Sequence, residues 1–400
     1  YVAMGNATTG KYNVALGSRA MENGVTTGDD NVSVGRYAGK EITSGISNIL
    51  IGGLAGDALT SGNYNVAIGK NALTTEDEHG RNIAIGHNAL YYLNAGADAY
   101  NVAIGYEAGV NITTAADNVI IGGLAGDALT TGSNNVAIGK EALSTEDAHG
   151  SNVAVGYRAL KVQDAGAEAY NVAVGKDAGL SVSTGTLNTL IGGLAGDALQ
   201  EGSSNVAIGY LALSTEDAHG YNTAIGAGAL QTQNAGADAY NVAVGYDAGL
   251  SVTTGVRNTL IGSLAGDALA GGSYNVAVGM YALSTEDTHG KNVAIGYSAL
   301  IVQNAGADAY NVAMGYNAGQ AVTTGTANTI IGGLAGDALT TGIDNVALGY
   351  NALSTEDSGS RSVAIGREAL RDQNFDGSAY NIGVGHQAGL FVSTGVQNTL

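Results

Sequence analysis

A five-residue phrase, Asn101-Val102-Ala103-Ile104-Gly105, recurs along this chain at nearly constant spacing. Versions of it start at 24 positions, and 22 of those starts are Asn, the exceptions being Tyr1 and Ser362. From Asn31 the intervals run 17, 17, 17 and 19 residues and then repeat, so that Asn31, Asn101, Asn171, Asn241, Asn311 and Asn381 each open a 70-residue unit. A fixed short period marks stacked units that share one continuous core. It overrides the expectation that 400 residues make two or three globular domains.

Coils of 17 residues cannot hold a helix, a strand and two loops, and the apolar pattern has no 3.6-residue period. What fits is one turn of a solenoid: a strand, a tight corner at Gly105, a second short apolar segment, then a polar loop back to the next Asn. The fold class read from the sequence is therefore all-β, a parallel β-solenoid (β-roll or β-helix) of 17–19-residue coils grouped in 70-residue repeats. Stacked at about 4.8 Å per coil, the coils would make a rod of roughly 110 Å.

Side chains alternate faces along a strand, so Val102 and Ile104 share one face and Asn101, Ala103 and Gly105 the other. The bulkier β-branched pair is expected to fill the core. Ile104→Asp is then expected to disorder its coil and its neighbours by burying an unpaired charge. The Ala-lined face, also apolar, is expected to be covered by another copy of the chain in a symmetric homo-oligomer. The recurring Asn residues, among them Asn65, Asn101, Asn135, Asn171, Asn205 and Asn241, are expected to stack as a hydrogen-bonded amide ladder.

Residues 1–30 lead in with irregular spacing. Residues 31–400 read as one continuous solenoid, in units 31–100, 101–170, 171–240, 241–310 and 311–380 with a partial unit 381–400. The chain opens and closes inside a coil, which is expected of a segment of a longer repetitive protein. There is no Pro in a chain whose strands must donate N–H groups on both sides. A net charge of −20 opposes nucleic acid and anionic lipid as partners. No apolar run is long enough for a membrane-spanning helix.

The loop Ser144-Thr145-Glu146-Asp147-Ala148-His149-Gly150 concentrates the reactive side chains. Ser, Asp and His on one short loop seldom reach triad geometry, and the copy at 354–360 has no His. Glu146 and Asp147 are hard oxygen donors suited to Ca²⁺. The expectation is that the loop is solvated and that the chain has no cofactor. His79, His149, His219 and His289 lie four coils apart, too far to share one zinc ion. Tyr100, Tyr170, Tyr240, Tyr310 and Tyr380 are expected to pack over the loops beneath them rather than to form a binding stripe. Every candidate group recurs, whereas an active site needs one asymmetric pocket, so no enzyme is expected.

The run Asn-Val-Ala-Ile-Gly-x-x-Ala, seen at 65–72, 135–142 and 205–212, resembles the head repeat of YadA-like trimeric autotransporter adhesins. That family has Ser before the Val and shorter coils. Similar arrays occur in phage and giant-virus tail fibres. The resemblance implies a left-handed parallel β-roll, trimeric about a common axis, with an extracellular binding or spacing role. The expected function is a stiff extracellular fibre or filament with an adhesive or spacer role on a microbial surface or in a biofilm matrix. The alternative is a phage tail-fibre shaft. The expected partners are copies of the chain itself and a host-surface or matrix glycan or protein.

Overall fold

A computed structural model describes residues 3–4, 9–23 and 25–400. The start at Tyr1 lies outside the described residues. Two compact units, Tyr1–Gly202 and Ser203–Leu400, make up the chain. Among the described residues the first holds eleven strands, β1 (Val14–Leu16) to β11 (Thr189–Ile191). The second holds eleven more, β12 (Val206–Ile208) to β22 (Ile382–Val384). Every strand is three residues long, and no helix occurs among the described residues. Within each unit, each strand pairs in parallel with the strand one coil on. Each unit is therefore a parallel β-solenoid. β1, in the irregular lead-in, still pairs in register with β2 (Val32–Val34): Val14 lies against Val32 and Leu16 against Val34.

The coil entered at Asn101 shows how the phrase builds this. In β6 (Val102–Ile104) and β7 (Val119–Ile121), Val102 pairs with Val119, Ala103 with Ile120 and Ile104 with Ile121. The hydrogen-bonded ladder does not stop at the strand ends. Gly109 N–H donates to Ala125 O at 3.0 Å, and Thr113 N–H to Thr130 O at 2.9 Å. Whole coils, not only strands, satisfy one another's backbone groups. The corners turn on single residues in the left-handed region, Tyr100 (φ 54°) and Glu107 (φ 53°) in this coil. Each costs about 1–2 kcal/mol in an isolated chain and is held here by the bonds to the coils on either side.

The side-chain alternation is as expected, but the two faces are reversed. Asn101 and Ala103 are fully buried, whereas Val102 and Ile104 look outward and are only partly covered. The same inside-outside pattern runs through β7 and β8 (Val136–Ile138). The reason is room. The strand lies close over the corner of its own coil, whose Ala108 and Ile112 also point inward and are fully buried. So thin an interior takes one large side chain where its neighbour is small. Ile120 at the centre of β7 faces Gly126, where an added Cβ would lie 2.8 Å from Leu129 Cδ1. Ala137 at the centre of β8 shares its coil with Leu143 in the position of Gly126. Where both positions are small, as at Ala103 and Gly109, Ile120 and Leu90 of the adjacent coils fill the space beside Gly109.

Candidate functional site

In the 17-residue coils the buried Asn at the start closes its own coil and fastens it to a neighbour. At the 19-residue coils Asn82 and Asn222 Nδ2 donate back to Gly80 O and Gly220 O, and Asn152 and Asn292 Nδ2 have no hydrogen-bond partner among the described residues. Asn118 N–H donates to Asn101 Oδ1 at 3.0 Å, and Asn135 N–H to Asn118 Oδ1 at 2.9 Å. The amide Nδ2 reaches the end of the same coil's loop: Asn101 donates to Ala115 O at 2.8 Å and Asn171 to Gly185 O at 2.7 Å. Asn65 donates to His79 O, Asn135 to His149 O, Asn205 to His219 O and Asn241 to Gly255 O in the same way. The Asn column is thus chiefly amide to backbone. Direct amide–amide bonds supplement it, as from Asn118 Nδ2 to Asn101 Oδ1 at 3.2 Å. Asp lacks the donor, and Ser carries donor and acceptor on one oxygen with a shorter reach.

The outward strand face is a continuous apolar feature of each unit. In the first unit it runs from Val14 and Leu16 to Thr189 and Ile191 and contains only Val, Ile, Leu and Thr. Ile49 is 40% exposed and Ile191 37%. In the second unit it includes Ile261, Met314 and Leu348, again with no charged side chain. At about 4.8 Å per strand, eleven strands of such residues exceed the few hundred Å² of contiguous apolar surface usual on a monomer.

The tyrosines do not pack down over the loops. Tyr100 and Tyr310 are 52% and 57% exposed, because their left-handed backbone just before each Asn turns the ring outward. They stack along the solenoid instead. Arg81 lies 5.7 Å from the Tyr64 ring and 5.4 Å from the Tyr100 ring. In the second unit Tyr221 stacks on Tyr240 at 5.0 Å, and Arg257 contacts both Tyr240 and Tyr274. Such exposed cation–π contacts contribute about 0.5–1 kcal/mol each.

The acidic loop also differs from its expectation. Asp147 is exposed, but Glu146 is fully buried, as are Glu76, Glu216, Glu286 and Glu356. The carboxylate folds back to close the turn: His149 N–H donates to Glu146 Oε1 at 3.1 Å. Asn135 needs this turn in place to reach His149 O. A run of Thr, Glu and Asp reads as solvated in sequence, and only its place under the next coil buries the Glu. Burial pushes the Glu146 and Glu286 carboxyls up to about 7, against the His N–H bonds that favour the charged form. His149 Nδ1 lies 3.7 Å from Glu146 Oε1. Ser144 Oγ donates to Lys161 O at 3.4 Å rather than meeting His149, so these three side chains do not form a triad.

A second carboxylate set lies at Asp57, Asp127, Asp197, Asp267 and Asp337. The Oδ1 of each is buried with no hydrogen-bond partner, and burial raises each pKa above its ordinary value of 3.8. Charged neighbours modulate this: Lys40 and Glu41 at Asp57, Glu107, Glu141 and Lys161 at Asp127, Asp177 at Asp197, and Asp247 at Asp267. A carboxyl with a higher pKa in the fold than in the unfolded chain binds its proton preferentially when folded. Its stabilising contribution is complete below the unfolded pKa and is lost as pH rises through the folded one. Replacing all five by Asn should therefore raise the melting temperature at pH 8 and change it little at pH 4. Thermal unfolding of both proteins at the two pH values checks this. A variant destabilised at pH 8 would show that these carboxylates are well solvated or paired.

No family model matches the chain, and no curated protein matches it.

Proposed function

We propose that this chain is a structural, fibre-forming protein that associates with copies of itself through the outward Val/Ile face, in a trimer. The supporting observation is that face. It is apolar, uncharged and partly exposed along every strand of each unit. A two-faced apolar strand is covered on both faces in a stable assembly, and a surface that repeats with the coils is matched by an identical partner in a symmetric oligomer. The 70-residue grouping then sets a longer repeat along the fibre, so that each loop type is displayed at a fixed interval.

In this reading the fibre is extracellular, on a microbial surface or in a biofilm matrix. The half-exposed Tyr and Arg columns present many identical weak contacts to a glycan or protein, and spacing rather than single-site affinity supplies the avidity. A phage tail-fibre shaft is the alternative within the same architecture, with adhesion at a separate tip. No catalytic step is assigned to this chain.

The mass in solution of the full chain, measured by light scattering over a concentration series, tests the assembly. Three chains per particle are expected. A single chain at all concentrations would overturn self-association through this face.

A further inference from the structure

We propose that the corner formed by Glu146, Asp147, His149 and Asp164 binds a divalent transition-metal cation of the zinc class. The corners at Glu76, Glu216 and Glu286 are three-donor versions of the same site.

Donor atoms of these four side chains lie within 4.8 Å of one another, as do those of Glu76-Asp77-His79, Glu216-Asp217-His219 and Glu286-Asp287-His289. The His Nδ1 to Glu Oε1 separations are 3.7, 3.7, 3.4 and 3.9 Å. Two ligands about 2.0–2.1 Å from one tetrahedral ion stand roughly 3.4 Å apart, so the pair is already spaced to share an ion. Asp164 is peculiar to its corner, since Asn94, Asn234 and Asn304 stand at the corresponding positions. Three carboxylates and an imidazole meet there, and among the described residues no Lys or Arg forms an ion pair with any of them.

The second observation is an unpartnered buried group. Glu146 is fully buried and its Oε2 has no hydrogen-bond partner, and Oε2 of Glu216 and Glu286 is in the same state. Nδ1 of His79, His149 and His219 is likewise buried and unpartnered. Leaving such atoms unpaired is costly.

The chain carries its own control. At Glu356, Gly359 stands where His149 stands in the earlier copy. There Gln373 Nε2 donates to Glu356 Oε2 at 2.8 Å, and Gly359 N–H donates to Oε1 at 2.7 Å. The corresponding Gln163 turns away from Glu146: its Oε1 accepts from Asn171 and its Nε2 donates to Ser183 O. The copy that lacks His has its Glu satisfied by protein. Of the copies that have His, those at Glu146, Glu216 and Glu286 leave the second carboxylate oxygen open, whereas at Glu76 it accepts from Ala95 N–H at 3.3 Å.

The donor set decides the ion. One imidazole nitrogen with up to three carboxylate oxygens suits Zn²⁺ or its neighbours, whereas Ca²⁺ takes six to eight oxygens. The calcium reading of Glu146 and Asp147 is replaced accordingly. Exposed Asp147 and Asp164 leave a path from solvent.

The test titrates metal-free full chain with Co²⁺, followed by its visible absorption and then by displacement with Zn²⁺. The expected result is the intense band of four-coordinate Co²⁺, with about one tight equivalent per chain. His149→Ala should abolish that equivalent, and Asp164→Asn should reduce it to the weaker class. His149→Ala should keep the wild-type melting temperature in chelator, because the 356–360 corner closes with Gly in that place. Glu146→Gln should also lose the tight equivalent, and if it fails to fold, His149→Ala decides alone. Undiminished absorption in His149→Ala would overturn the site. So would weak, non-saturating absorption only, or stabilisation by Ca²⁺ with no Co²⁺ band.

Discussion

Ala103→Asp is expected to disorder its own coil and both neighbours, whereas Ile104→Asp is expected to leave the coil folded and to weaken the proposed self-association. Ala103 is fully buried between Ala84 and Ile120 of the adjacent coils, with no room for a carboxylate and no cation to pair with it. The cost is on the order of 4–5 kcal/mol or more, the range reserved for unpaired buried charge. Ile104 stands one residue away on the outward face. There an Asp keeps its water, and the loss in a dilute single chain is about 1 kcal/mol, the span of strand propensity. Hydrogen exchange at the amides of β7 separates the two: protection collapses in Ala103→Asp and persists in Ile104→Asp. Light scattering is the complementary measurement: Ile104→Asp is expected to shift the proposed trimer toward a single chain. Equal loss of protection in both variants at low concentration would put the Val/Ile face back in the interior.

The second large effect is at the glycine that ends each strand. A Cβ added at Gly122 would lie 2.5 Å from the Gly139 carbonyl oxygen and 2.6 Å from its carbon, and φ at Gly122 is +140°. The obstacle is the backbone of the next coil, already fixed by the Gly139 N–H bond to Ile121 O at 2.7 Å. Side-chain rotation therefore cannot relieve the clash. Gly122→Ala should cost about 3 kcal/mol or more, from backbone strain and overpacking together. Gly123→Ala is the internal comparison, since its added Cβ would meet only Tyr106 O at 4.0 Å. That variant should stay within about 1 kcal/mol of the parent, or gain slightly by restricting the unfolded chain. Urea midpoints of the two variants check the contrast. Similar midpoints would mean that coils can slide apart enough to admit a methyl group at every level.

These two cases divide what is legible in the sequence from what is not. The glycine requirement, the strand and the coil length follow from the repeat itself, because a phrase that recurs every 17 residues must meet its copy one level away. The parallel register follows too, since Val102 can face Val119 and Ile104 face Ile121 only if coils stack in step. The column of Asn was also legible. Its bonding was not, because in the 17-residue coils the acceptor of Nδ2 is a loop carbonyl 14 residues on, set by how tightly the loop closes, whereas Asn82 and Asn222, which open 19-residue coils, donate to a carbonyl two residues back.

The candidate site was legible only in its residue types. Glu146, Asp147 and His149 stand out in one loop, but nothing local distinguishes a solvated Glu from one sealed beneath the next coil. Asp164 lies one coil later, and only the stacking brings it to the same corner.

The sequence by itself determined that this protein is a stack of parallel coils, because period, alternation and glycine placement are properties of the chain that any fold must respect. Only the tertiary structure decided which face of the strand is inside. Alternation defines two faces without labelling them, and both faces here are apolar. The label comes from the volume left between the strand and the corner of its own coil, which admits Ala103 or Ile120 singly but not the Val and Ile pair on the other side.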